Sequence, residues 1–219
     1  MGGLIPLTDT SRRPTHFPIV TACIILVNFV VFGLEIKGGD AFVLKWCVVP
    51  AEITSGHHLI TMLSAMFMHA SWSHILGNMV FLWAFGPEIE DAMNPLRYLL
   101  FYLAGGLAAM LGQVALVPSS TIPSLGASGA IAAVMGAFLV TYPRDRIKSI
   151  LIIFVFARVT FIPAAVLIGF WFLTQLFNLG SVAEAQTGGV AYAAHVAGAV
   201  FGALIARFFE DPNRLAAQL

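Results

Sequence analysis

Inside the long apolar runs of this 219-residue chain stand a few strongly polar side chains, in surroundings that make them costly. They are Asn28, His74, Asn78, Gln113, Ser128, Gln175 and His195. A hydroxyl with an imidazole can do nucleophilic and acid–base chemistry, several imidazoles can begin a metal site, and amides can donate hydrogen bonds or glue helices together. His74 and Asn78 are four positions apart and share one helix face. Ser128 lies in Gly126-Ala127-Ser128-Gly129, directly after a polar loop, and His195 lies in Ala194-His195-Val196-Ala197-Gly198.

The elements that must position these groups follow from composition. The chain is 59% hydrophobic and 10% charged, against roughly 25% charged in an ordinary soluble domain. It therefore lacks the polar groups to cover a water-facing surface, and the lipid bilayer is its solvent. Eleven Lys and Arg balance eleven Asp and Glu, which excludes a nucleic-acid partner held by counterion release. Cys23 and Cys47 form no disulfide framework. No small-residue cleavage pattern follows the first apolar run, so no cleavable signal peptide is expected.

A crossing helix needs about 20 mostly apolar residues. The uncharged runs give spans at 17–34, 72–85, 98–117, 128–142, 163–179 and 190–206, with an interfacial stretch at 59–70. Pro118, Pro123 and the hydroxyls between them break the run between the third and fourth spans. The apolar stretch 150–161 carries Arg158 and is ended by Pro163. Phe170, Trp171, Phe172 and Phe177 of the fifth span read as lipid-facing, with substrate-gate elements as the alternative. With both termini inside, the inner segments hold Arg12, Arg13, Arg97, Arg144, Arg146, Lys148, Arg207 and Arg214, and the outer loops hold Lys37 and Lys45. That bias sets both termini in the cytoplasm, in an inner or plasma membrane. The expected fold is an all-α bundle of six transmembrane helices with a short, partly buried fourth helix. It forms one domain over 1–219: a cytoplasmic tail at 1–17, a membrane core at 18–208 and a cytoplasmic tail at 209–219.

Depth tests whether the polar groups meet. Counting 1.5 Å per residue from the cytoplasmic end of each span, Ser128 lies at about 21 Å, His195 and His74 at about 18 Å, and Asn78 at about 12 Å. Each residue alone has a plain reading. Ser128 is a helix N-cap, a histidine or Gln113 or Gln175 is interhelical glue, and Gly126, Gly129, Gly198 and Gly202 serve close packing. None of these explains why one Ser and two His fall at one level, with an Asn a turn below.

His74-Ile75-Leu76-Gly77-Asn78, Gly126-Ala127-Ser128-Gly129-Ala130 and Ala194-His195-Val196-Ala197-Gly198 with Gly202 occur in order on spans two, four and six. With Phe67-Met68-His69-Ala70, Glu90-Asp91 and Arg97-Tyr98, these stretches resemble the rhomboid intramembrane serine proteases over nearly the whole chain. The resemblance implies Ser128 as nucleophile on the fourth helix and His195 as general base, a dyad without a carboxylate. It implies an oxyanion hole from the Ser128 N–H, His74 and Asn78, with Gly126 giving the backbone its approach. Gly129, Gly198 and Gly202 would support the packing of spans four and six. No cofactor or metal is implied, and the partners are transmembrane protein substrates and the bilayer. Ala132 stands where many members carry an aromatic over the catalytic imidazole, which leaves Tyr192 as the candidate to orient His195. Ile60-Thr61 replaces a Trp-Arg pair found in some members.

Three other functions compete with this reading. A catalytically silent rhomboid-like binding module would have lost Ser128 or His195. A transporter needs a polar path through the inner halves of the spans, which are apolar. A metal site on His69, His74 and His195 lacks a nearby carboxylate or thiolate. No pattern in the sequence specifies an oligomeric state.

Overall fold

Prolines and short polar side chains mark where the helices begin. The computed structural model describes residues 2–154, 156–182 and 191–217. Pro50 opens α2 (Pro50–Thr54), Pro95 opens α5 (Pro95–Leu116) and Pro212 opens α9 (Pro212–Ala217), at the turn where a missing N–H costs nothing. Asn94 caps α5 by accepting from the Arg97 N–H at 3.1 Å. Ser71 caps α4 (Trp72–Met93), accepting from the His74 N–H at 3.2 Å. The remaining helices are α1 (Ile19–Trp46), α3 (Thr61–Ser64), α6 (Ser128–Thr141), α7 (Ala164–Val182) and α8 (Tyr192–Phe209).

The all-α expectation is corrected by a three-stranded antiparallel sheet in the order β1–β2–β3, with β1 at Gly2–Asp9, β2 at Arg146–Ile153 and β3 at Phe156–Pro163. In β2–β3, Arg146 pairs with Pro163 and Ile153 with Phe156, while Asp9 of β1 pairs with Ile147. The expected tail at 1–17 is thus built into the fold. The stretch 150–161 escaped reading as strand because Ile150–Ile153 is a continuous apolar run with no two-residue alternation.

The spans also shift. α1 continues past the expected end at residue 34 to Trp46, with a break in helical geometry at Gly39. Glu35 does not end it, because that carboxylate is buried and accepts the His69 N–H at 3.0 Å. α4 runs eight residues beyond the expected 85, burying Glu88, Glu90 and Asp91 in its last turns. Those acids have specific donors. Glu90 accepts from the N–H of Val20 and Thr21 at 2.9 and 2.7 Å, satisfying the start of α1, and from the Thr21 hydroxyl at 2.8 Å. Asp91 accepts from Thr15 and meets Arg214 at 3.5 Å. Among the described residues, α1, α5 and α8 are long and apolar enough to cross a membrane, and α6 and α7 contribute shorter apolar segments.

α6 is the central helix. Residues 129–138 are buried on every side, and the helix packs on α8, α5 and α4. Lipid gives helices no hydrophobic reason to associate, so close backbone packing through small residues must hold them. A Cβ on Gly202 would lie 1.9 Å from the Ala133 carbonyl oxygen, one on Gly198 2.2 Å from that of Gly129, and one on Gly136 2.1 Å from that of Ala199. Gly169 of α7 meets nothing within 4 Å. Gly202→Ala should therefore force α6 and α8 apart and lower the thermal midpoint by several degrees. Gly169→Ala should hold or raise the midpoint through better helix propensity, by about 1 kcal/mol. Thermal unfolding in detergent reads both.

The sheet is tied to the bundle through charged groups at its root. Arg12 bonds Asp145 at 2.5 Å, and Asp9 accepts the Ser11 N–H at 2.7 Å. Burial, with the neighbouring Asp145 charge, raises the Asp9 carboxyl to about 6, against the opposing pull of the Ser11 N–H and Arg12. Glu88 adds a further carboxylate nearby. A carboxyl raised on folding favours the fold below its unfolded value and loses that contribution as pH climbs through its folded one. The β1 amides should thus be better protected from hydrogen exchange at pH 5 than at pH 7.5, after correction for intrinsic rates. Asp9→Asn should flatten that difference.

Candidate active site

The chain reaches the head of α6 through Gly126, whose φ of +136° is open to glycine and strained for other residues. Its N–H donates to the Ala65 carbonyl at 2.8 Å, in the one-turn 3-10 helix Ala65–Phe67. Ala127 occupies the cap position and Ser128 is the first helical residue, so the N-cap reading of Ser128 is displaced. Its hydroxyl instead lies 2.7 Å from Nε2 of His195 on α8. The glycine contacts between α6 and α8 bring the two backbones close enough for that distance.

His195 is 8% exposed, and its other ring nitrogen, Nδ1, lies 2.8 Å from Oε1 of Gln175 on α7. Sequence reasoning missed Gln175 as part of the site and read it as interhelical glue. The ring of Trp171, one turn earlier on α7, lies 5.7 Å from the imidazole at an interplanar angle of 37°. Tyr192, the expected orienting residue, meets the imidazole edge-on at 6.3 Å. Trp171 thus turns toward the site and not to lipid as expected, whereas Phe170 and Phe177 are exposed.

His74 and Asn78 stand on successive turns of α4 and line one cavity with Ser128 and His195. The cavity holds about 730 Å³, with Phe81, Met135 and Trp171 among its apolar lining. His74 Nδ1 accepts the Ala70 N–H in a long bond of 3.4 Å, which leaves Nε2 to carry the proton. A Cβ on Gly126 would lie 3.1 Å from that Nε2. Asn78 Nδ2 is buried with no hydrogen-bond partner among the described residues. A buried donor left unsatisfied costs about 1–3 kcal/mol, so the site holds hydrogen-bond capacity in reserve beside the Ser128 hydroxyl.

The other polar residues of the spans lie apart from this group. Asn28 donates to the Ile24 carbonyl at 2.7 Å in its own helix, and Gln113 Oε1 is buried without a partner among the described residues. The His69 ring packs edge-on against His74 at 5.0 Å. A carboxylate does approach His69, contrary to expectation, but Glu35 takes its backbone N–H and not its ring. Among the described residues, no three His, Cys, Asp or Glu are placed to hold a metal. Glu184 lies outside the described residues.

Comparison with known proteins gives the family. A family model, the Rhomboid domain, matches residues 56–211. The chain is 27% identical over 201 residues to Rhomboid protein 1, mitochondrial, of Saccharomyces cerevisiae, covering 87% of this chain and 53% of that protein. It is 32% identical over 140 residues to Rhomboid protease GluP of Bacillus subtilis, covering 61% and 26%. It is 30% identical over 131 residues to human Presenilin-associated rhomboid-like protein, mitochondrial, covering 54% and 34%. The chain spans about half or less of the length of these relatives. The long apolar helices support a membrane protein, but two of the three relatives carry mitochondrial names, so the expected plasma membrane is not supported.

Gly126 tests the local geometry. Gly126→Ala meets both a left-handed φ and the His74 ring. It should cut the rate at which a fluorophosphonate labels Ser128 at least tenfold while the helical circular-dichroism signal stays unchanged.

Proposed function

The chain belongs to the rhomboid family, and on that premise we propose that it is an intramembrane serine endopeptidase cutting transmembrane protein substrates. The observation that carries this reading is the 2.7 Å approach of the Ser128 hydroxyl to His195 Nε2, inside a cavity with unspent hydrogen-bond donors. In this reading the neutral imidazole takes the Ser128 proton as Oγ attacks the scissile carbonyl. It then gives that proton to the leaving amine, and water releases the acyl group by the same route. The Ser128 N–H points from the head of α6, the positive end of the helix dipole. With Asn78 Nδ2 and His74 Nε2–H it would hold the oxyanion, a contribution of about 3–4 kcal/mol per donor.

The same reading makes α1, α4, α5, α6, α7 and α8 the six crossings of a single domain, with both termini in the cytoplasm. α6 then carries the nucleophile below the outer face. Its 14 residues span only about 21 Å of a core of about 30 Å. A loop that admits water therefore fits above Ser128, where hydrolysis needs it. A substrate helix would unwind at the cavity and place a small residue before the cut bond.

Ser128→Ala and His195→Ala should each abolish cleavage of membrane-anchored peptides by the purified protein. The double variant should be no slower than either single one, because the pair acts as a unit. Retention of the wild-type unfolding midpoint would show that chemistry and not folding was lost. Substantial cleavage by Ser128→Ala would remove Ser128 as nucleophile.

A further inference from the structure

The Gln175 amide can face only one way. Its Nε2 lies 3.1 Å from the Trp171 carbonyl oxygen and 3.0 Å from the Thr174 hydroxyl oxygen. The carbonyl can only accept, and the Thr174 hydroxyl spends its own proton on that same carbonyl at 2.6 Å. Both partners therefore require N–H groups from Gln175, which fixes the NH2 end toward α7 and the Oε1 end toward His195. Turning the amide over would set its oxygen against two acceptors and its NH2 against His195 Nδ1. Oε1 has no proton to give, so the 2.8 Å contact to Nδ1 requires that Nδ1 carry the hydrogen. In the neutral ring, Nε2 is then the bare nitrogen, and it faces the Ser128 hydroxyl at 2.7 Å.

We infer that Gln175 is a positioning residue that holds His195 in the Nδ1–H tautomer and aims its unprotonated Nε2 at Ser128. This rests on the protease reading and deepens it by supplying the third group that the sequence lacked. Gln175 is buried, so water does not compete for Nδ1. The proton order of the whole chain is set by a backbone carbonyl of α7, which cannot be reversed.

Three proteins test this in the full chain, reconstituted in bilayers: wild type, Gln175→Met, which keeps the length but offers no comparable acceptor, and Gln175→Glu, which keeps an oxygen near Nδ1. The readouts are the rate of Ser128 labelling by a fluorophosphonate, kcat and KM on a membrane-anchored peptide, and the 15N shifts of the His195 ring. Gln175→Met should slow labelling and kcat by roughly 10–100-fold with KM within about twofold, and its ring shifts should show mixed tautomers. That is less than the ~10⁴ lost when a partner enforces the wrong tautomer, because Met enforces neither. Gln175→Glu should recover most of the labelling rate. A Gln175→Met protein with wild-type labelling, or with an unchanged Nδ1–H tautomer, overturns the inference. Ser128→Ala separates the two levels: if it still cleaves, the protease reading fails whatever Gln175 does. If it is inactive while Gln175→Met is unimpaired, only the positioning role falls.

Discussion

Everything in this fold depends on how closely the backbones of α6 and α8 approach. Three glycines, Gly136, Gly198 and Gly202, sit where a single methyl would drive into the carbonyl of the facing helix. Gly129 lends its own carbonyl to the contact, and a Cβ there would meet Ala109 of α5 at 2.6 Å. In lipid such contacts replace the hydrophobic effect as the force that orders helices. They also set a distance that no loop could hold, since the Ser128 hydroxyl and His195 imidazole hang from the two helices joined this way. The approach of Ser128 to His195 is thereby a consequence of packing. Rigid helices place it, and the supporting shell is backbone against backbone, the least compliant contact available.

The second constraint is that each polar group taken out of water must find a partner or a purpose. Around the last turns of α4 and α8 several partners are plain. Glu90 receives the start of α1, Asp91 receives Thr15 and Arg214, and Glu210 ties Thr141 to Arg207. These acids explain how α4 ends among carboxylates while staying buried. Asp9 Oδ2 and Glu88 Oε2 there, and Asn78 Nδ2 on the cavity, find no partner among the described residues.

Much of this was legible in the sequence, for identifiable reasons. The fourth span was expected at 128–142 and α6 runs Ser128–Thr141, because a polar loop and Pro143 bracket it. The rise per residue brought Ser128, His195 and His74 to one depth, and the structure places all three on one cavity. What escaped were features that depend on rotation and pairing. Depth along a helix does not say which way Gln175 faces, and twenty positions separate it from His195. The sheet escaped because β1 supplies half of its evidence from the far end of the chain, where Leu4 and Ile5 pair with Leu151 and Ile150. Glu35 was read as a span boundary because a carboxylate ordinarily seeks water, and the His69 N–H that replaces water is visible only in three dimensions.

The missing aromatic at Ala132 follows from the same packing that creates the site. Ala132 is fully buried, and a Cβ built on Gly198 would lie 3.3 Å from its methyl. A ring at that position would occupy the volume that lets α8 approach, so a large side chain on α6 and a close α6–α8 contact compete for one space. This chain keeps the close contact and brings its ring from the opposite side, through Trp171 of α7. Gln175 stands one turn further along that helix and holds the other edge of the imidazole. The exchange moves control of His195 from the helix that bears the serine to a third helix. Orientation of the imidazole then depends on α7 being docked, whereas the depth at which it meets Ser128 depends on the glycines alone.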